Sequence, residues 1–205
     1  MYTRADERFE DYEEPAQSAN NDNEQGIING LHDSFESDYV DVKNTYAEWS
    51  GDHVLMLDLR DQETASSFKS AIGSEHYGAE REWFASSISF HNPSEHTVDG
   101  RRKDMEMHIV HYPDPDTFEG DPTLGNEIFA AVIGVLFTTN KDEAAPLSNA
   151  AQATLETFYE SLNNWGPDVD WVIPLKSLME ILDMENKWTY VGSFTTPPCT
   201  TLVYW

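Results

Sequence analysis

Histidine and glutamate crowd into residues 91–111 of this chain, as His91, Glu95, His96, Glu106, His108 and His111. Imidazole and carboxylate are the side chains that ligate transition metals and carry protons near neutral pH. Two runs have strand character, Glu82 to His91 and Glu106 to Tyr112, and a turn around Asp99-Gly100-Arg101 joins them. Antiparallel pairing of these runs would bring His91 and His108 together. Taken singly, any one of these histidines reads as a satisfied polar residue on a strand.

The whole constellation says more. Ser87-Ile88-Ser89-Phe90-His91-Asn92-Pro93-Ser94-Glu95-His96-Thr97-Val98-Asp99-Gly100, followed by Met105-Glu106-Met107-His108-Ile109-Val110-His111, resembles the zinc-binding core of the α-class carbonic anhydrases. That family reads Q-F-H-F-H-x-P-S-E-H-T, then E-x-H-x-V-H. It takes two zinc ligands from the H-x-H pair and a third from the later histidine. The resemblance implies His91 and His108 as the second and third ligands, with Ser89 in place of the first. Three neutral imidazoles hold Zn²⁺ with water in the fourth position and bring that water's pKa to about 7. A serine hydroxyl stays protonated at neutral pH and its neutral oxygen binds weakly. Zinc is therefore expected to be weakly bound or absent.

A second match lies at Trp188-Thr189-Tyr190-Val191-Gly192-Ser193-Phe194-Thr195-Thr196-Pro197-Pro198-Cys199, then Val203-Tyr204-Trp205, similar to the family's Y-x-G-S-L-T-T-P-P-C-x-E-x-V-x-W. By resemblance, Thr195 accepts a hydrogen bond from zinc-hydroxide and passes its own proton to Glu95. An ionised glutamate forces the threonine to act as that acceptor. Glu106 falls where the family supports the third zinc histidine with a carboxylate. Val110, Val132, Phe194, Thr196 and Trp205 fall on the pocket that holds CO₂. The family's proton-shuttle histidine is not found near Lys43-Asn44-Thr45, where Tyr46, Ala47 and Glu48 follow instead. The resemblance covers roughly residues 40–205, and it implies a sheet cut short at both ends: no Q-S-P-I segment precedes it and no strands follow Trp205.

The elements that must position these groups are legible as patterns. Tyr39-Val40-Asp41-Val42 and His53 to Leu59 alternate as strands, and Ala130 to Phe137 reads as a buried central strand. Ala151, Leu155, Phe158 and Leu162 recur at helical spacing within residues 147–163, so one helix packs on the sheet. Residues 112–122 are a loop rich in Pro and Asp. The expected fold is mainly β, a twisted and mostly antiparallel central sheet with a few peripheral helices. Residues 1–35, acidic and poor in apolar side chains, are expected as an extended arm ahead of a domain over 36–205.

Composition narrows the partners. At 205 residues, one domain with a substantial core is expected. The formal net charge is −26, from 38 acidic and 12 basic residues, so nucleic acid and anionic membranes are repelled. The charge suits cations, high salt or a basic protein surface, or is simply a solvated face. No run of eighteen apolar residues crosses a bilayer, and residues 1–6 lack the start of a signal peptide. The single cysteine, Cys199, stands where secreted relatives carry a half-cystine, which hints at secreted or organelle-lumen ancestry. No glycine-rich phosphate loop, CxxC pair or Ser/His/Asp signature is present. Two readings follow: a carbonic-anhydrase-related protein without catalysis, kept as an accessory subunit or binding module, or a zinc carbonate dehydratase with an atypical metal site. The first is favoured, with partner subunits covering the shortened sheet.

Overall fold

The computed structural model describes residues 18–19, 35–43, 47–50, 54–62, 64–70, 81–113, 128–140, 146–164, 171–184 and 187–205. A nine-stranded sheet organises them. In chain order its strands are β1 (Glu36–Asp38), β2 (Ala47–Ser50), β3 (Val54–Asp58), β4 (Ser67–Ser70), β5 (Arg81–His91), β6 (Met105–Tyr112), β7 (Ala130–Phe137), β8 (Val191–Ser193) and β9 (Thr201–Tyr204). In space they run β8-β9-β7-β6-β5-β3-β2, while β4 pairs with the first half of β5 and β1 extends β4. Pairing is antiparallel except between β7 and β9, which meet in parallel at Ala130↔Val203 and Ala131↔Tyr204. The mainly β class with peripheral helices is as expected. The arm expected over residues 1–35 falls largely outside the described residues, but Ser18–Ala19 pairs in parallel with Thr97–Val98.

One irregularity in β5 decides which face carries the chemistry. Its first half buries Trp83 and Ala85, and its second half buries Ile88 and Phe90 on the same core. Odd positions face the core before the break and even positions after it. The pairing with β6 slips between Val110 and His111: Val110 lies opposite Ser87, whereas His111 lies opposite Ala85. Ser86 is the extra residue, a bulge that reverses the parity of everything after it. Ser87, Ser89 and His91 consequently turn away from the core.

The core face of β6 presents Met107, Ile109 and His111, and β7 adds Val135 and Phe137. Two helices cover it, α1 (Asn149–Asn163) and α2 (Leu175–Glu180). Ser148 caps α1 by accepting the Ala151 N–H at 3.1 Å, which is why the helix starts there. Ala151 and Phe158 are the buried residues of α1, and Leu155 and Leu162 pack partly buried beside them, which is the stripe expected from spacing. Phe158 stacks on Phe137 with ring centroids 5.9 Å apart and planes within 6°. From α2, Leu175 and Leu178 are fully buried.

The alternation read over Tyr39–Val42 does not make one strand. Pairing stops at Asp38 and resumes at Val42–Lys43, which pairs with Val172–Ile173. Tyr39 turns inward so that its hydroxyl meets His111 Nε2 at 2.7 Å, and the Val40 N–H bonds the Ser66 hydroxyl instead of a neighbouring strand. The strand expected from His53 is Val54–Asp58, with His53 outside the described residues. Most of the loop expected over 112–122 also lies outside them.

Candidate metal centre

Cross-strand register builds the site. Ser89 of β5 lies opposite His108 of β6, and His91 lies opposite Glu106. Directly opposed residues share a face, so all four side chains project together, away from the core. The His91 and His108 rings stand 4.4 Å apart. Gly134 of β7 is the other neighbour of His108, and a Cβ there would come within 3.1 Å of Glu106 Oε1. A glycine at that position leaves room for the carboxylate.

The segment after β5 folds back over this face. Ser94 ties it down: its hydroxyl donates to the His96 carbonyl at 2.7 Å and accepts the Lys103 N–H at 2.7 Å. Asp99 and Gly100 take positive φ of 52° and 71° at the tip, where the chain reverses toward β6. The fold-back delivers Glu95 to the two histidines. Its Oε1 is 3.5 Å from His91 Nδ1 and its Oε2 is 4.0 Å from His108 Nδ1. His91, Glu95 and His108 are only 5%, 4% and 3% exposed.

Glu106 anchors the arrangement from beneath. Its Oε2 accepts the backbone N–H groups of Glu95 and His96, each at 2.8 Å. Its Oε1 accepts from His96 Nδ1 and lies 2.8 Å from His108 Nε2. Burial alone would raise this carboxyl, but the hydrogen bonds from His108 and His96 overcome it and hold Glu106 ionised, well below the usual carboxylate range. His108 Nε2 thus faces the Glu106 carboxylate, and its Nδ1 faces Glu95.

Burial lowers the pKa of His91 from 6.5 to about 3, with the neighbouring His108 adding to the shift. His108 is lowered too, chiefly by burial. Both rings are neutral, as metal ligands must be. Ser89 Oγ lies 3.0 Å from His91 Nε2, so the hydroxyl is engaged with the neighbouring ring.

The remaining positions singled out in the sequence divide. Val132 and Trp205 are buried in one apolar cluster with Ala130 and Val203, and Val110 and Phe194 pack against it. The Trp205 ring closes over the site, with centroids 4.8 Å from both His96 and His108. Thr195 is buried on the turn between β8 and β9, whereas Thr196 stands exposed there and its carbonyl accepts the Cys199 N–H at 2.9 Å. Cys199 is half-buried and takes part in no disulfide within this chain. His111 lies on the opposite face, in the core against Tyr39 and Phe68.

The His96 ring reaches Glu106 and sits 6.0 Å from that of His108. Residues 92–96 are not strand, so the fold-back and not strand alternation aims this ring. Tyr190 was missed as a site residue: its hydroxyl meets His96 Nε2, and its ring stacks on Trp205. Its place in the Trp188-Thr189-Tyr190 motif was the available signal.

Fold and site together define a class: a β-sheet protein with a buried centre of histidines and carboxylates on one sheet face. Comparison with known proteins gives the family. Residues 17–205 match the profile of the eukaryotic-type carbonic anhydrases, and the chain belongs to that family. It is 33% identical over 116 residues to carbonic anhydrase 4 of Oryctolagus cuniculus, covering 55% of this chain and 35% of that protein. It is 30% identical over 139 residues to dioscorin DB3L of Dioscorea polystachya, covering 67% and 44%. The matches span 35% and 37% of the first two curated relatives' own length. Among solved structures, the α-carbonic anhydrase of Thermovibrio ammonificans in complex with sulfanilamide superposes with a TM-score of 0.58 at 20% identity, over 94% of this chain and 69% of that one. Dioscorin complexed with ascorbate gives 0.56 at 20%, over 100% and 74%.

The zinc centre that the family resemblance implies needs three imidazoles around one ion. The residues present do not fit it, because a hydroxyl occupies the position facing His108 and is already bonded to His91. Two imidazoles and the Glu95 carboxylate are what the centre offers, with donor atoms all within 4.8 Å of one another.

Proposed function

We propose that this chain is a carbonic-anhydrase-like protein that does not hydrate CO₂ and serves as a binding module or accessory subunit. Ser89 carries the reading. Hydration needs a zinc-bound hydroxide, and the site lacks the third imidazole that would create it at neutral pH. The Glu106 anchor and the apolar cluster around Trp205 persist, as a scaffold can after its chemistry is lost.

The accessory role draws on the far side of β7. Among the described residues β9 covers β7 only at Ala130 and Ala131. A cavity of about 290 Å³ borders the rest of that strand, lined by Ile133, Val135, Leu182, Met184 and Tyr204, with the exposed Trp188 beside it. An open strand edge beside apolar side chains is a surface onto which another chain docks. The net charge of −26 favours a basic partner.

The test is CO₂ hydration by the purified chain with zinc in excess, alongside Ser89→His. The parent should hydrate no faster than buffer, and Ser89→His should bind zinc more tightly by ~100-fold or more, since a structural zinc site is worth about 10–16 kcal/mol over four ligands. Zinc-dependent hydration by the parent would overturn the reading and favour an enzyme with an atypical metal site.

A further inference from the structure

We propose that His91, Glu95 and His108 form a divalent-cation site with a donor set of its own, two Nδ1 nitrogens and one carboxylate, in which Ser89 orients His91 instead of leaving a gap. The site deepens the reading of a non-catalytic member without depending on it.

The distances already suit a metal. Two donors each about 2.1 Å from a tetrahedral zinc stand ~3.4 Å apart. His91 Nδ1 and Glu95 Oε1 are 3.5 Å apart, and His108 Nδ1 and Glu95 Oε2 are 4.0 Å apart. One ligand atom from each of the three residues lies within 4.8 Å of the others, so side-chain rotation has to close the set onto one ion. Two histidines and a glutamate are an established zinc donor set, and the fourth position is left for water.

Tautomers point the same way. The ionised Glu106 lies 2.8 Å from His108 Nε2 and favours the proton there, with Nδ1 facing Glu95. Ser89 Oγ lies 3.0 Å from His91 Nε2, and on metal binding the hydroxyl can accept the proton there and free the His91 Nδ1 lone pair that faces Glu95. Each histidine thus has a polar group against its Nε2 and turns its Nδ1 to Glu95, the layout that a metal site with an orienting partner behind each imidazole requires. A rival triad, His96, Glu106 and His108, also brings donors together. Its atoms are committed: Glu106 accepts two backbone N–H groups and His96 Nδ1, and His96 Nε2 meets the Tyr190 hydroxyl.

A cation held this way has a chemical consequence. The Glu95 negative charge leaves the ion less electron-demanding than three neutral imidazoles would. A carboxylate engaged on the metal also cannot receive the Thr195 proton, so the relay implied by the family resemblance is interrupted. A bound cation is thus compatible with absent hydration.

The test is titration of the full chain, stripped with chelator, with cobalt(II) followed by its visible ligand-field spectrum, and with zinc in competition with a chromogenic chelator. One ion per chain should bind with a four-coordinate spectrum. Glu95→Gln should weaken binding ~100-fold and Ser89→Ala about 10–100-fold, as loss of a ligand or of its orienting partner does. In Ser89→His, binding should tighten and become insensitive to Glu95→Gln. No binding by the parent, or equal binding by Glu95→Gln, would overturn the site. If Glu95→Gln does not fold, imidazole nitrogen NMR of the zinc-loaded parent decides: metal on Nδ1 of both histidines supports the site, and metal on His91 Nε2 overturns it. Hydration measured on the same zinc-loaded sample keeps the two proposals apart, because hydration with binding refutes only the first and absent binding refutes only the second.

Discussion

Acid should unfold the metal-free protein through its buried histidines, and His111 gives the clearest case. It is fully buried, donates from Nδ1 toward the Ala131 carbonyl at 3.3 Å and meets the Tyr39 hydroxyl through Nε2. Burial lowers its pKa from 6.5 to about 3, and His91 is lowered to about 3 as well. The unfolded chain takes up these protons below pH 6.5 while the folded chain refuses them until about pH 3. The stability held by the neutral rings is therefore complete above 6.5 and falls as the pH drops through that window. Each histidine loses about 1.4 kcal/mol per pH unit, so two of them remove ~4 kcal/mol by pH 5. That is comparable with the ~5–15 kcal/mol total of a typical domain. His108 shifts in the same direction and adds to the loss. Protonation of surface carboxylates, which relieves the −26 charge, opposes it only nearer their own pKa of about 4. Urea melts followed by circular dichroism from pH 7.5 to 4.5, with chelator present, read the slope. His111→Gln, whose carbonyl can still accept the Tyr39 O–H, should give a shallower slope by one histidine's share. A midpoint that is flat or rises between pH 6.5 and 5 would refute the reasoning.

Further outcomes follow from single contacts. Gly134→Ala places a methyl 3.1 Å from Glu106 Oε1, and because that oxygen is held by His96 and His108 it cannot retreat freely; a loss of ~1–3 kcal/mol in denaturant melts is expected. Phe158→Ala removes a fully buried ring stacked on Phe137 and should lose about 3–5 kcal/mol, whereas exposed Tyr159→Ala beside it should lose far less. If the open side of β7 needs covering, the isolated chain should self-associate in light scattering; a monodisperse monomer with a cooperative melt would remove the need for a partner.

Strand and helix identities were legible because their patterns are local. The buried run Ala130–Phe137 and the stripe Ala151, Leu155, Phe158 and Leu162 both became the elements their spacing indicated. Tyr39–Val42 misled because alternation cannot distinguish a strand from a segment turned inward by one buried hydrogen bond, here from Tyr39 to His111.

The sequence by itself determined the family motif and the residue types at Ser89, His91, Glu95, Glu106 and His108. It could not determine how they meet. The bulge at Ser86 sets the face on which Ser89 and His91 project, and a bulge depends on the partner strand's register, which no local pattern encodes. Glu95 and His96 reach the site through a fold-back held by Ser94 and Glu106. Tyr190 reaches His96 across 94 residues, because β9 pairs with β7 on one side and with β8 on the other. Only tertiary structure decided that Glu95 and Glu106 would stand at the two nitrogens of His108, because the pairing of β5 with β6 and the fold-back after β5 bring Glu95 onto that ring.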